Sequence, residues 1–137
     1  MTRALTVLAW TMGVACALIG VAHMAVGPEI TPGTAPIIAT DDSQNRFFGA
    51  IFAGYGLAWI WAIRRTPVAT DAIRWLAGIF FLGGLARLIS LAVYGWPHWF
   101  IVALGVIELV LPPVFFWLTK SADTTRHPAH PTATVPT

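Results

Sequence analysis

The sequence predicts an all-α integral membrane bundle of four antiparallel transmembrane helices with both termini cytoplasmic. Three observations carry that prediction. First, 57% of the 137 residues are hydrophobic and only 10% are charged, whereas a soluble domain carries about 25% charged residues. Second, four apolar segments occupy residues 4–25, 47–63, 75–94 and 99–118, each near the ~20 residues that cross the hydrocarbon core. A backbone in lipid must satisfy its own hydrogen bonds, which makes these segments helices rather than open strands. Third, the cations collect in alternate connections, as the positive-inside rule requires.

The first segment, 4–25, follows Arg3 and contains the single cysteine, Cys16. One cysteine excludes an internal disulfide, and within an apolar run it packs as a small hydrophobe. Arg3 and the stretch Ala22-His23-Met24-Ala25 loosely resemble a signal peptide. The apolar run exceeds the ~7–15 residues of a signal core, so an uncleaved helix is expected. Gly13-Val14-Ala15-Cys16 is a faint lipoprotein-like stretch, with Gly13 where leucine is expected.

The connection 27–45 holds Glu29, Asp41 and Asp42 and neither lysine nor arginine, so it is expected outside. Pro28, Pro32, Gly33 and Pro36 favour an irregular path over 27–39. Asp41-Asp42-Ser43 then offers N-cap residues for the second helix. Arg46, at the start of that helix, is the one cation on the outer side. Arg64, Arg65 and Arg74 lie between the second and third helices against Asp71 alone, and Lys120 and Arg126 follow the fourth. The turn Gly95-Trp96-Pro97-His98 is short and carries no lysine or arginine, which makes helices three and four antiparallel neighbours. Most of the tryptophans fall near span ends, as an aromatic belt does.

These spans define one transmembrane domain, 1–120. The Pro- and Thr-rich stretch 121–137 is expected to be a disordered cytoplasmic tail. The length leaves no room for a second folded domain. The expected location is the inner or plasma membrane, in multi-pass form. A net charge of +2 is too small to suggest nucleic-acid binding. His127 and His130 have no further ligands nearby, so no metal and no cofactor are expected.

Small residues recur at helical spacing: Gly13, Ala17 and Gly20; Gly49, Ala53 and Gly56; Ala50, Gly54 and Ala58; and Gly78, Gly83 and Gly84. Such stripes let backbones approach closely in lipid.

Two opposite charges lie inside apolar runs, Arg87 in the third and Glu108 in the fourth. An ionisable group in hydrocarbon costs about 2.5–3.5 kcal/mol on insertion scales and normally finds a partner. Arg87 lies eight residues before Gly95 and Glu108 eleven after Pro97, or ~12 Å and ~16 Å below the same surface. An Arg87–Glu108 ion pair follows. Ser90 and Tyr94 share the face of Arg87. His23 ends the first helix, and Asp41, Asp42, Asn45 and Arg46 begin the second. If all these stripes face the bundle axis, they line a cleft that opens outward. Pro112 and Pro113 remove the amides that would bond the carbonyls of Glu108 and Leu109, so a kink is expected there.

Each residue also has a plain structural reading. Arg87–Glu108 can be a staple that fixes helix register. His23 can be a snorkelling or loop-bonded histidine, Asp41 and Asp42 solvated caps, and Arg46 a headgroup anchor.

The segment Asp42-Ser43-Gln44-Asn45-Arg46-Phe47-Phe48-Gly49-Ala50-Ile51-Phe52 resembles the signature of a bacterial membrane family, domain of unknown function 4345. Leu85-Ala86-Arg87-Leu88-Ile89-Ser90 with Gly95-Trp96-Pro97, and Ile107-Glu108-Leu109, resemble its second and last elements. The resemblance runs from about His23 to Pro113. It implies a four-helix membrane protein and brings no activity, substrate or cofactor.

Three functions remain in view. The first is binding of a small lipophilic or amphipathic ligand in the outward cleft, or service as an accessory subunit of a membrane assembly. Arg87 and Arg46 would hold an anionic or carbonyl group, Glu108 would balance Arg87, and Ser90, Tyr94, Asn45 and His23 would add polar contacts. The second is a membrane enzyme of isomerase, epoxide hydrolase or cyclase type, with Glu108 or Asp42 as acid or base and His23 relaying protons. Arg87 weakens that reading, because a guanidinium beside Glu108 favours the ionised carboxylate. The third is structural, with the glycine stripes contacting partner helices. The expected partners are membrane lipid, a lipophilic small molecule, and a homo-oligomer or larger membrane complex. A channel or pump is disfavoured, since one buried pair offers no continuous relay.

Overall fold

The computed structural model describes residues 2–33 and 36–126. Four helices make up the architecture: α1 (Thr2–Val26), α2 (Ala39–Arg64), α3 (Thr70–Tyr94) and α4 (Trp99–Arg126), with one short 3-10 turn at Pro28–Ile30 and no strand among the described residues. Each helix is long and apolar enough to cross a membrane, so the chain reads as a multi-pass membrane protein.

Helix ends fall where the local chemistry stops them. Gly27, at φ 85°, follows α1, and its amide bonds the carbonyl of His23 at 3.0 Å. Pro28 then bars continuation. Gly95, also at φ 85°, ends α3 the same way, through its amide and the carbonyl of Leu91 at 2.9 Å. Only glycine adopts these dihedrals without strain.

Two starts differ from the sequence expectation. Helix α2 begins at Ala39 with Ile38 in the N-cap position and no side-chain cap. Asp41 and Asp42 therefore lie inside the first turn, where a carboxylate complements the helix dipole, rather than capping it. At the other end of the chain, α4 runs past Lys120 to Arg126. Ala122 is buried and Asp123 pairs with Arg74, and these contacts continue the helix beyond the expected domain edge. The remainder of the predicted tail, 127–137, with His127 and His130, lies outside the described residues. Helix α4 also stays continuous through Pro112 and Pro113.

Helix contacts advance in opposite chain directions. A Cβ placed on Gly13 would lie 3.0 Å from the carbonyl oxygen of Gly56, and one on Gly20 would lie 2.6 Å from that of Gly49. Along α3 and α4, Arg74 meets Thr119 and Arg87 meets Glu108. Tyr55 Oη donates to the carbonyl of Leu76 at 2.6 Å, and the Tyr55 ring stacks between Phe52 and Phe80, joining α2 to α3.

The buried core is not spread evenly. Leu5, Ala9 and Met12 of α1, Trp59 and Ile63 of α2, Ile73 and Ala77 of α3, and Phe115, Leu118 and Ala122 of α4 form one cluster. All lie toward the end that carries the α2–α3 connection, which we call the base. The opposite end, with the 27–38 loop and the 95–98 turn, is the rim. Toward the rim the close approaches described here are within two helix pairs, at Gly20 and Gly49 of α1–α2 and at Gly84 and Arg87 of α3–α4. The loop crosses between them: a Cβ on Gly33 would lie 2.9 Å from the Cβ of His98.

Candidate groove on helices α3 and α4

The arginine and glutamate singled out by the sequence meet. Arg87 Nε donates to Glu108 Oε2 at 2.6 Å, and Nη2 donates to Oε1 at 2.9 Å. This two-pronged geometry is the strongest form of an arginine–carboxylate pair. Glycines bring the two helices close enough for it. A Cβ on Gly84 would lie 2.8 Å from the Leu109 side chain, and one on Gly105 would lie 3.4 Å from Arg87 Cδ. Gly83 faces the carboxylate itself, 3.9 Å from Glu108 Oε2 by the same construction.

Exposure of the pair is unequal. The Glu108 side chain is 12% accessible and that of Arg87 is 38% accessible. Both carboxylate oxygens accept from the guanidinium, while Arg87 Nη1 makes no hydrogen bond among the described residues. Arg87 lines a groove of about 440 Å³ along α3 and α4. Ser90, Leu91, Trp96, Pro97, Ile101 and Gly105 share that lining. The groove thus has mostly apolar walls, with Ser90 and Arg87 as its polar lining residues.

The other candidates form a separate cluster at the rim of α1 and α2. Arg46 Nε donates to Asp42 Oδ2 at 2.9 Å, and Nη1 donates to the carbonyls of Met24 at 2.6 Å and Ala25 at 3.1 Å. These are last-turn carbonyls of α1, so Arg46 caps that helix and sits at the negative end of its dipole. His23 Nδ1 lies 2.9 Å from the carbonyl of Ile19, and Nε2 lies 3.2 Å from Thr31 Oγ1. Nδ1 donates to the carbonyl, and the Thr31 hydroxyl completes the second bond at Nε2. Asn45 Oδ1 is buried without a partner among the described residues.

The residues expected to share one cleft therefore fall into two groups. Arg87, Glu108 and Ser90 come together. His23, Asp42, Arg46 and Asn45 gather elsewhere, and no hydrogen bond or ion pair among the described residues links the groups. Tyr94 shares the helix with Arg87 but is 88% exposed and lies outside the groove lining. Asp41 is exposed. Periodicity assigns a residue to a face and leaves open which neighbour that face meets.

One polar network was not expected from the sequence. At the base, Arg74 donates to Thr119 Oγ1 at 3.1 Å, to Asp71 at 2.9 Å and to Asp123, and Thr70 Oγ1 donates to Asp123 at 3.2 Å. The signal was present: Phe115, Leu118 and Ala122 extend an apolar stripe past residue 120. Among the described residues no three His, Cys, Asp or Glu side chains gather as a metal-binding set.

The model of a family described as Domain of unknown function (DUF4345) matches residues 4–119. No curated protein and no solved structure shows a significant match.

Proposed function

Because the chain belongs to the DUF4345 family, whose description assigns no activity, we propose its function from the groove: it binds a small lipophilic molecule whose polar group docks on Arg87. We place the rim outside and the base, with both termini, in the cytoplasm of a cell bounded by this inner or plasma membrane. The distribution of cations supports that orientation.

The single observation that carries the reading is the half-engaged guanidinium. Arg87 gives two donors to Glu108, leaves Nη1 without a hydrogen bond among the described residues, and lines an apolar groove of about 440 Å³. Small-molecule sites have this size and character, mostly apolar with a few placed polar groups. The charge balance narrows the ligand. Glu108 neutralises Arg87, so the pair offers hydrogen-bond donors with little net charge. A carbonyl, ester or amide oxygen suits such a site better than a carboxylate or phosphate, which Glu108 would repel. Ser90 supplies a second polar contact from one turn along the same helix.

The enzyme reading has less support. Its candidate groups are divided between two clusters, and both oxygens of Glu108 already accept from Arg87. Asp42 and His23 are engaged in holding the end of α1.

The test is extraction of the protein from its native membrane and mass spectrometry of the molecules it retains. A neutral carbonyl-bearing lipophile is expected with the wild type. Ser90→Leu, which fills the groove without touching the ion pair, is expected to lose it while thermal unfolding stays unchanged. Equal retention by Ser90→Leu would overturn the assignment.

A further inference from the structure

Three of the arginines are paired with carboxylates: Arg46 with Asp42, Arg74 with Asp71 and Asp123, and Arg87 with Glu108. Arg64 and Arg65 are not. Both are exposed, both make no ion pair among the described residues, and both line one shallow groove at the base with Leu57, Ile60 and Trp61. Two adjacent guanidinium groups without a carboxylate partner among the described residues thus stand beside an apolar wall, unlike Arg46, Arg74 and Arg87.

We infer that this groove binds the phosphate of an anionic phospholipid, with an acyl chain lying along Leu57 and Trp61. Trp61 is 52% and Leu57 61% exposed, and together they give a chain apolar contact directly above the cations. The guanidinium of Arg65 stacks on the Trp61 ring at 4.6 Å from its centroid. Stacking engages the face of the guanidinium and leaves its planar edge of N–H donors for a phosphate, which arginine binds bidentately. The end of α2 opposes an anion, since its last carbonyls carry partial negative charge. One of them, on Ala62, is already bonded to the amide of Ala69 at 3.2 Å. Binding therefore depends on both arginines. Basic pockets on the cytoplasmic side of membrane helices recognise anionic headgroups by this chemistry. The site lies at the opposite end from Arg87 and is independent of the groove on α3 and α4.

The experiment titrates a fluorescent short-chain phosphatidylglycerol into the full-length protein in a non-ionic detergent, with phosphatidylcholine and inorganic phosphate as competitors. Each of Arg64→Gln and Arg65→Gln is expected to weaken binding about fivefold, and the double variant about 25-fold. Arg65→Lys is expected to recover part of the loss, because the charge remains and the fork does not. Phosphatidylcholine is expected to compete poorly, and inorganic phosphate not at all at concentrations where unlabelled phosphatidylglycerol displaces the probe. Unchanged binding by the double variant would overturn the inference. So would competition by phosphatidylcholine as effective as by phosphatidylglycerol, a comparison that needs no variant. Displacement by inorganic phosphate as effective as by the lipid would make this a free-phosphate site and overturn it also.

Discussion

Helices α1 and α2 and helices α3 and α4 are built from the same materials, yet the two pairs end differently. Each has glycines at its interface and an arginine paired with a carboxylate. In the first pair the glycines meet backbone: Gly20 faces Gly49 and Ala53, and Gly56 faces Gly13 and Ala17. Arg46 directs its bonds to Asp42 and to two carbonyls of α1. In the second pair Gly84 meets a side chain, that of Leu109, and Arg87 directs its bonds to Glu108 alone among the described residues. The first pair closes and the second retains a groove. The difference between the two arginines is their surroundings: both keep N–H donors unused, and only Arg87 lines the groove on α3 and α4.

The sharpest way to break the comparison is at the glycines. Gly56→Leu places atoms inside the backbone of α1 around Ala17 and is expected to cost about 3 kcal/mol or more, the upper range for overpacking. Steric-trap or detergent-titration unfolding would measure it. A near-wild-type value would mean that α1 and α2 are not in close contact.

Next comes the ion pair. Arg87→Gln leaves Glu108, 12% accessible, without its partner. The expected loss is about 2–3 kcal/mol, below the range for fully buried pairs because Arg87 is partly accessible. The double variant Arg87→Leu/Glu108→Leu is expected to return to within about 1 kcal/mol of wild type, since an apolar pair replaces a buried salt bridge at little cost. It is nevertheless expected to retain no ligand. Recovery of both stability and ligand would reduce the pair to a structural staple.

Arg46→Gln sharpens the contrast from the other side. It is expected to lower the melting temperature modestly by uncapping α1, and to leave ligand retention by the α3–α4 groove unchanged. Loss of the ligand without loss of stability would return Arg46 to the binding site. The smallest effect is expected at Gly54 and Gly78, which have open space where a Cβ would go. Substitution of either by Ala is expected to change stability by no more than about 1 kcal/mol, and in the favourable direction, because alanine is the better helix former.

The span pattern and the Arg87–Glu108 contact were legible because each rests on a one-dimensional rule. Apolar length marks a span, and helical rise from a shared turn matches two depths. The division of the polar residues into two groups was not legible. His23, Arg46 and Arg87 all lie toward the rim in sequence terms, but their partners are chosen by which faces of four helices meet. Gly54 and Gly56 show the same limit: both belong to small-residue stripes on one helix, and only Gly56 is pressed against a neighbour. The Arg74 network escaped for a different reason. The polar composition after Lys120 masked Ala122, which continues the buried face of α4, and Asp123, which pairs with Arg74.

The placement of the core toward the base has a practical consequence for any binding measurement. In the proposed orientation Arg87 and its groove stand beyond the region where all four helices share buried side chains, and the groove opens toward acyl chains. A molecule arriving there displaces lipid rather than water. Occupancy then follows its mole fraction among the lipids, and a dissociation constant expressed in molar units will drift with the amount of detergent or bilayer in the cuvette.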